Sequence, residues 1–186
     1  MSSPPTTRRP RADAERNRAH ILDVARVLFA ERGEEVQLPE VARAAGVGVG
    51  TVYRHFPTLG DLVEAAAELR FAEIEEYARN RCLRAKPGRA VARYLRHVGE
   101  TLAADRGLSA AIESVRHTPG SPPQGEARAR LETVVGELVE RDAGALRADC
   151  TVADVYLVAG ALSATIRGGG DWRRLLDLAL AGLSCP

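Results

Sequence analysis

Apolar residues recur along this chain at helical spacing, and no stretch alternates at period two. Ile21, Val24, Ala25, Leu28 and Phe29 fall at i, i+3, i+4, i+7 and i+8, which predicts a helix over 15–32 with one apolar stripe. Gly33 is a natural stop. Leu38, Val41, Ala42 and Ala45 repeat the spacing over a shorter run, opened by Pro39 in the first turn, where its missing N–H is not needed. Gly46 can take positive φ and turn the chain. A second short helix is expected over 49–55, with Val52 and Phe56 facing inward and Thr51, Arg54 and His55 outward. Thr58 and Asp61 then form a capping pair for a long helix to about Arg81, offering Leu62, Val63, Ala66, Leu69, Ile74 and Tyr77 for burial. Lys86-Pro87-Gly88 breaks the pattern. Further helices are expected over 89–104, 107–117 and 126–142, with a loop over 118–125.

The last two segments, 151–167 and 171–183, are apolar on most sides and are separated by Gly168-Gly169-Gly170. A helix apolar nearly all round is buried all round. Near the end of a chain, that points to burial against a second copy, the alternative being that the two helices only close the core of a single chain. Trp172, beside the glycines, is either an anchor of such an interface or exposed. The expected fold is all-α with about nine helices.

Composition changes little. At 186 residues the chain is ample for a buried core, and aromatics stand at only 4%. Net charge is +1, so any attraction to a polyanion must come from charge placement. Residues 1–14 are rich in Pro, Ser, Thr and Arg and read as a disordered basic arm, either a solvated tail or one that reaches a duplex. Cys82, Cys150 and Cys185 are too scattered for a disulfide framework or a metal site. His20, His55, His97 and His117 lack any catalytic context. No enzyme, metal, cofactor or membrane span is therefore expected, and without an apolar leader segment the expected location is cytoplasmic.

The candidate chemistry lies in 38–57. A helix, a glycine turn and a second helix, with a small residue at Ala42 permitting close crossing, make the pattern of a DNA-binding helix-turn-helix. Gly46, Gly48 and Gly50 alternate, but they follow a helical run rather than a strand, which excludes a phosphate loop. The run Val-Ala-Arg-Ala-Ala-Gly-Val-Gly-Val-Gly-Thr-Val-Tyr-Arg-His-Phe-Pro, 41–57, resembles the signature of the TetR-like transcriptional regulators; the likeness covers roughly 15–65.

That resemblance implies a three-helix DNA-binding domain over 15–60 and a helical ligand-binding and dimerisation domain over 61–186. It implies a homodimer through 151–183, a double-stranded operator that is a pseudo-palindrome, and release by a small-molecule effector. Thr51, Tyr53 and His55 match positions that hold phosphates. Arg54 is the one long outward donor able to grip a guanine, Val49 can touch a thymine methyl, and Gly48 and Gly50 bring main chain close to the duplex. Two departures stand out. Gln37 replaces the usual Ser or Thr cap of the second helix, though it can donate to a phosphate, and Leu59 replaces a common Lys. Phe71, Tyr77, Tyr94, His97 and Ile112 are the candidate pocket liners. An activator, or a helical interaction module without small-molecule control, is the competing expectation.

Overall fold

The computed structural model describes residues 8–116 and 125–185. Nine α-helices account for most of them: α1 (Arg8–Arg32), α2 (Leu38–Ala44), α3 (Val49–His55), α4 (Leu59–Tyr77), α5 (Ala90–Ala104), α6 (Arg106–Arg116), α7 (Gly125–Asp142), α8 (Val152–Arg167) and α9 (Trp172–Leu183). A 3-10 turn follows α1, and a π turn, Ala78–Cys82, extends α4. The all-α architecture is as expected. The loop expected over 118–125 lies outside the described residues except for Gly125, which opens α7.

One boundary differs. The chain is helical from Arg8, so α1 takes in residues 8–14 that the proline-rich composition placed in a disordered arm. Pro10 explains why this is tolerated. It stands in the first turn, where an N–H has no intrahelical acceptor to lose. Residues 1–7 of that arm lie outside the described residues.

Caps fix the other starts. Thr58 Oγ1 accepts the Asp61 N–H at 3.1 Å, and the Asp61 carboxylate accepts the Thr58 N–H at 2.9 Å. Thr151 and Asp154 repeat the exchange at the head of α8. The start of α5 has no local cap. Instead the buried Asp142 carboxylate, at the end of α7, accepts the N–H groups of Gly88 at 2.6 Å and Val91 at 2.9 Å.

Two apolar cores result. The first gathers Ile21, Ala25 and Phe29 of α1, Val41 and Val52 of the following two helices, Phe56, Leu62 and Val63. It also takes Leu108, Ala111 and Ile112 from α6. The second lies among α5, α7, α8 and α9, around Leu95, Val134, Leu138, Leu162 and Leu176. Phe71 touches both.

α6 reaches the first core because Gly107 allows it. A Cβ there would lie 1.7 Å from the Phe29 carbonyl oxygen and 3.2 Å from Gly33 Cα, so main chain meets main chain. Trp172 is buried, against Gly99 of α5, and is neither exposed nor available to a partner. Glycine at 99 leaves the indole its seat. The outer faces of α8 and α9 carry Leu157, 72% exposed, and Leu178, 54% exposed.

Candidate functional site

The turn between α2 and α3 is built by main-chain hydrogen bonds. Gly46 takes φ +65°, its N–H donates to Arg43 O at 3.2 Å, and the Val47 N–H donates to Ala42 O at 3.0 Å. This is a Schellman closure, in which a left-handed glycine satisfies the last carbonyls of α2. Val47 then packs on the first core. Buried Ala42 leaves room for α3 to cross. His20 Nε2 lies 3.0 Å from Ala45 O and ties α1 to the same corner. The Arg18 guanidinium sits over the Phe56 ring at 5.1 Å.

Val52 and Phe56 are buried, so α3 has one rotational setting. That setting leaves Gly48, Val49, Gly50, Tyr53 and Arg54 exposed and Thr51 and His55 half-buried on one surface. Nothing would meet a Cβ at Gly50, so its main chain is open to approach. Arg54 lies folded along its own helix, with Nε donating to Gly50 O at 3.1 Å and Nη2 to Thr51 Oγ1 at 3.2 Å. Gln37 is exposed at the head of α2 and donates its main-chain N–H to the Glu40 carboxylate at 3.2 Å. That carboxylate also accepts from Arg32 at 2.9 Å, and the Arg32 hydrogen bond holds Glu40 below its ordinary pKa. Of the eight candidate DNA-facing residues, seven thus lie on α3 or at its N-cap, and Gln37 lies at the head of α2.

The second feature is a cavity of about 660 Å³ between α4, α5, α6, α7 and α8. Phe71, Tyr94 and Ile112 line it, as expected. Tyr77 and His97 do not. Their rings stack on each other at 3.6 Å between centroids, in a separate surface groove. On α5 the reason is helical register, since Tyr94, Val98 and Leu102 form the wall and His97 stands one row round from them; on α4 it is distance along the helix, since the wall ends at Ile74 and Tyr77 lies one turn beyond it.

The sequence reading missed Arg70. It is 4% exposed, lines the cavity, and donates from Nη1 to Ser109 Oγ at 3.0 Å. Its Nε has no hydrogen-bond partner. Burial pushes its pKa down to about 10. The signal was present, because residue 70 continues the buried rows of Val63, Ala66, Ala67 and Ile74 at spacings of three and four. Leu69, expected inside, is half-buried instead.

These features agree with known proteins. The family model for bacterial regulatory proteins of the tetR family matches residues 21–66, and that for the C-terminal domain of SbtR-like transcriptional regulators matches 86–185. A crystal structure of a TetR transcription regulatory protein from Mycobacterium vanbaalenii is 38% identical, over 94% of this chain and 99% of that one, at a TM-score of 0.60. The chain belongs to the TetR family. It is a non-enzymatic, DNA-binding transcriptional regulator of that family, with an N-terminal helix-turn-helix followed by a helical C-terminal domain. A TetR regulator from Streptomyces coelicolor is 30% identical over 90% of this chain and 98% of its own, with a TM-score of 0.63. The curated HTH-type regulator AcrR of Shigella flexneri is 41% identical over 70 residues, which span 37% of this chain and 33% of AcrR. No helix among the described residues is long and apolar enough to cross a membrane.

Proposed function

We propose that this TetR-family regulator is a homodimeric repressor that binds a pseudo-palindromic operator and is released by a small-molecule effector. The observation that carries this is the placement of the cavity. Ile112 and Glu113 of α6 line it, while Gly107 and Leu108 of the same helix press on α1. A ligand that shifts α6 therefore bears on the core that sets α3. A volume of about 660 Å³ is within the range of small-molecule sites. Moving a regulator from 1:99 to 99:1 between two states takes a differential affinity of ~5.5 kcal/mol.

The uncovered apolar faces of α8 and α9, with Leu157 and Leu178 outermost, support a dimer through residues 151–183. A second copy would set two α3 helices about 34–36 Å apart, one duplex turn. At the DNA, Arg54 swings off Gly50 O and Thr51 to read a guanine. Thr51, Tyr53, His55 and Gln37 hold phosphates, Val49 meets a thymine methyl, and the open main chain at Gly48 and Gly50 lets the helix sit close.

The test is capture of fragmented genomic DNA by the full chain at physiological salt, followed by sequencing and by sedimentation of the complex. Retained sites sharing an inverted repeat, with two chains per repeat, are the expected result. Binding without sequence enrichment, or by single chains, would refute it.

A further inference from the structure

The described residues offer one buried cation that the packing does not use up. Arg70 sits at the α4–α6 side of the cavity with its Nε unpartnered, one hydrogen bond, to Ser109, and its guanidinium 5.5 Å from the centre of the Phe71 ring. Its charged neighbours are committed elsewhere. Arg26 holds Glu73 at 2.7 and 2.9 Å, Arg116 holds Glu64 at 2.7 Å, and Glu113 is paired with Arg167. Asp105 acts on Arg70 only through the longer-range field. Among the described residues no carboxylate forms an ion pair with Arg70. A buried guanidinium left in this state is strongly disfavoured unless something completes its hydrogen bonds.

The rest of the wall is largely apolar, with Tyr94, Val98 and Leu102 of α5 joined by Ile74 and Leu131, and it also carries Glu113, already paired with Arg167, and Glu132. A volume of about 660 Å³ far exceeds an inorganic anion. We propose that the cavity takes an organic anion, whose acid group is received by Arg70 and whose apolar body lies among the α5, α7 and α8 side chains. This rests on the reading of the cavity as an effector site and adds the chemical class of the effector. A guanidinium is a planar fork of donors, the chemistry that suits a two-oxygen acid group. Such a ligand engages the guanidinium that ties α4 to Ser109 of α6, two residues from the Gly107 contact with α1.

Two fluorescent probes with the same ring system test it on the full chain: 8-anilinonaphthalene-1-sulfonate, an anion, and N-phenyl-1-naphthylamine, which lacks the sulfonate. Arg70→Met keeps the stem and removes the charge. The variant should bind the anion about tenfold more weakly and the neutral probe unchanged, as loss of a charge-assisted hydrogen bond requires. Equal loss of both probes, or no loss of either, would overturn the proposal.

A second measurement needs no variant. In the unaltered protein, 2-naphthoate should displace the neutral probe at concentrations about tenfold lower than 2-naphthalenemethanol does. Equal displacement by acid and alcohol overturns the anion and leaves the cavity as a neutral-ligand site. Failure of the neutral probe to enter at all overturns the effector-site reading itself, and the anion with it.

Discussion

Gly107→Ala should separate α6 from α1. The added Cβ would lie 1.7 Å from the Phe29 carbonyl oxygen and 2.7 Å from its carbon, where ordinary contact begins near 3.4 Å. Neither obstacle is a side chain that can rotate away. The two helices must therefore part by roughly 1.5 Å, in a core packed to crystal-like density. Phe29 and Leu108 are both fully buried there, so the opening uncovers large side chains. Overpacking alone costs about 1–3 kcal/mol, and a main-chain clash belongs at or above the top of that range. Gly136→Ala in α7 is the matched control, because its Cβ meets only Val152 Cγ2, at 4.0 Å. There the gain in helix propensity should stabilise by up to ~1 kcal/mol. The two variants should differ by about 4 kcal/mol in urea unfolding, on the order of 8–16 °C in Tm for a chain of this length. Both should be melted at one protein concentration, since a dimer's Tm depends on it. If Gly107→Ala unfolds within ~1 kcal/mol of the unaltered protein, the α1–α6 contact is not as tight as its geometry requires, and its part in transmitting ligand binding falls with it.

Arg54→Ala should weaken binding to the selected operator by ~1–3 kcal/mol and relax preference at one base position, read by sequencing of bound fragments; a uniform loss over all sequences would assign Arg54 to the backbone instead. Leu157→Glu places a charge on the uncovered α8 face and should give a folded monomer by sedimentation and circular dichroism; a persistent dimer would move the interface off α8. Thr58→Ala removes the acceptor of the Asp61 N–H and should cost about 1 kcal/mol, lowering Tm by ~2–4 °C, and an unchanged Tm would show that cap to be idle.

Helix positions were legible because each depends on neighbours three and four residues away. The Thr58–Asp61 cap and the Gly46 turn are local for the same reason, and so the whole α2–α3 surface followed from one run of twenty residues. What stayed hidden depends on distant partners. Asp142 caps α5 across 51 positions, and nothing near Asp142 in sequence announces it. Trp172 looked available for a partner because Gly99, its seat, is 73 residues away in sequence. Tyr77 and His97 have the residue types of pocket liners, but His97 stands one row off the α5 wall and Tyr77 one turn past its α4 end, and they stack on each other in a different crevice. An arginine between Leu69 and Phe71 has the character of a solvated charge, although its place in the buried rows says otherwise. The π turn at Ala78–Cys82 has no local signal that distinguishes it from continued α-helix.

The contribution of α6 to the first core bears on how the protein is made. Its residues emerge from the ribosome about fifty positions after α3 is complete. Until then the nascent chain carries a finished recognition surface over a core that is open on the side where Leu108 and Ala111 will sit. A message cut short between codons 67 and 106 therefore encodes the DNA-contacting helices without their closing layer. Such fragments should be cleared as unfolded protein rather than persist on DNA, so early stop codons in this gene should behave as plain loss of the regulator and not as a dominant DNA-bound fragment.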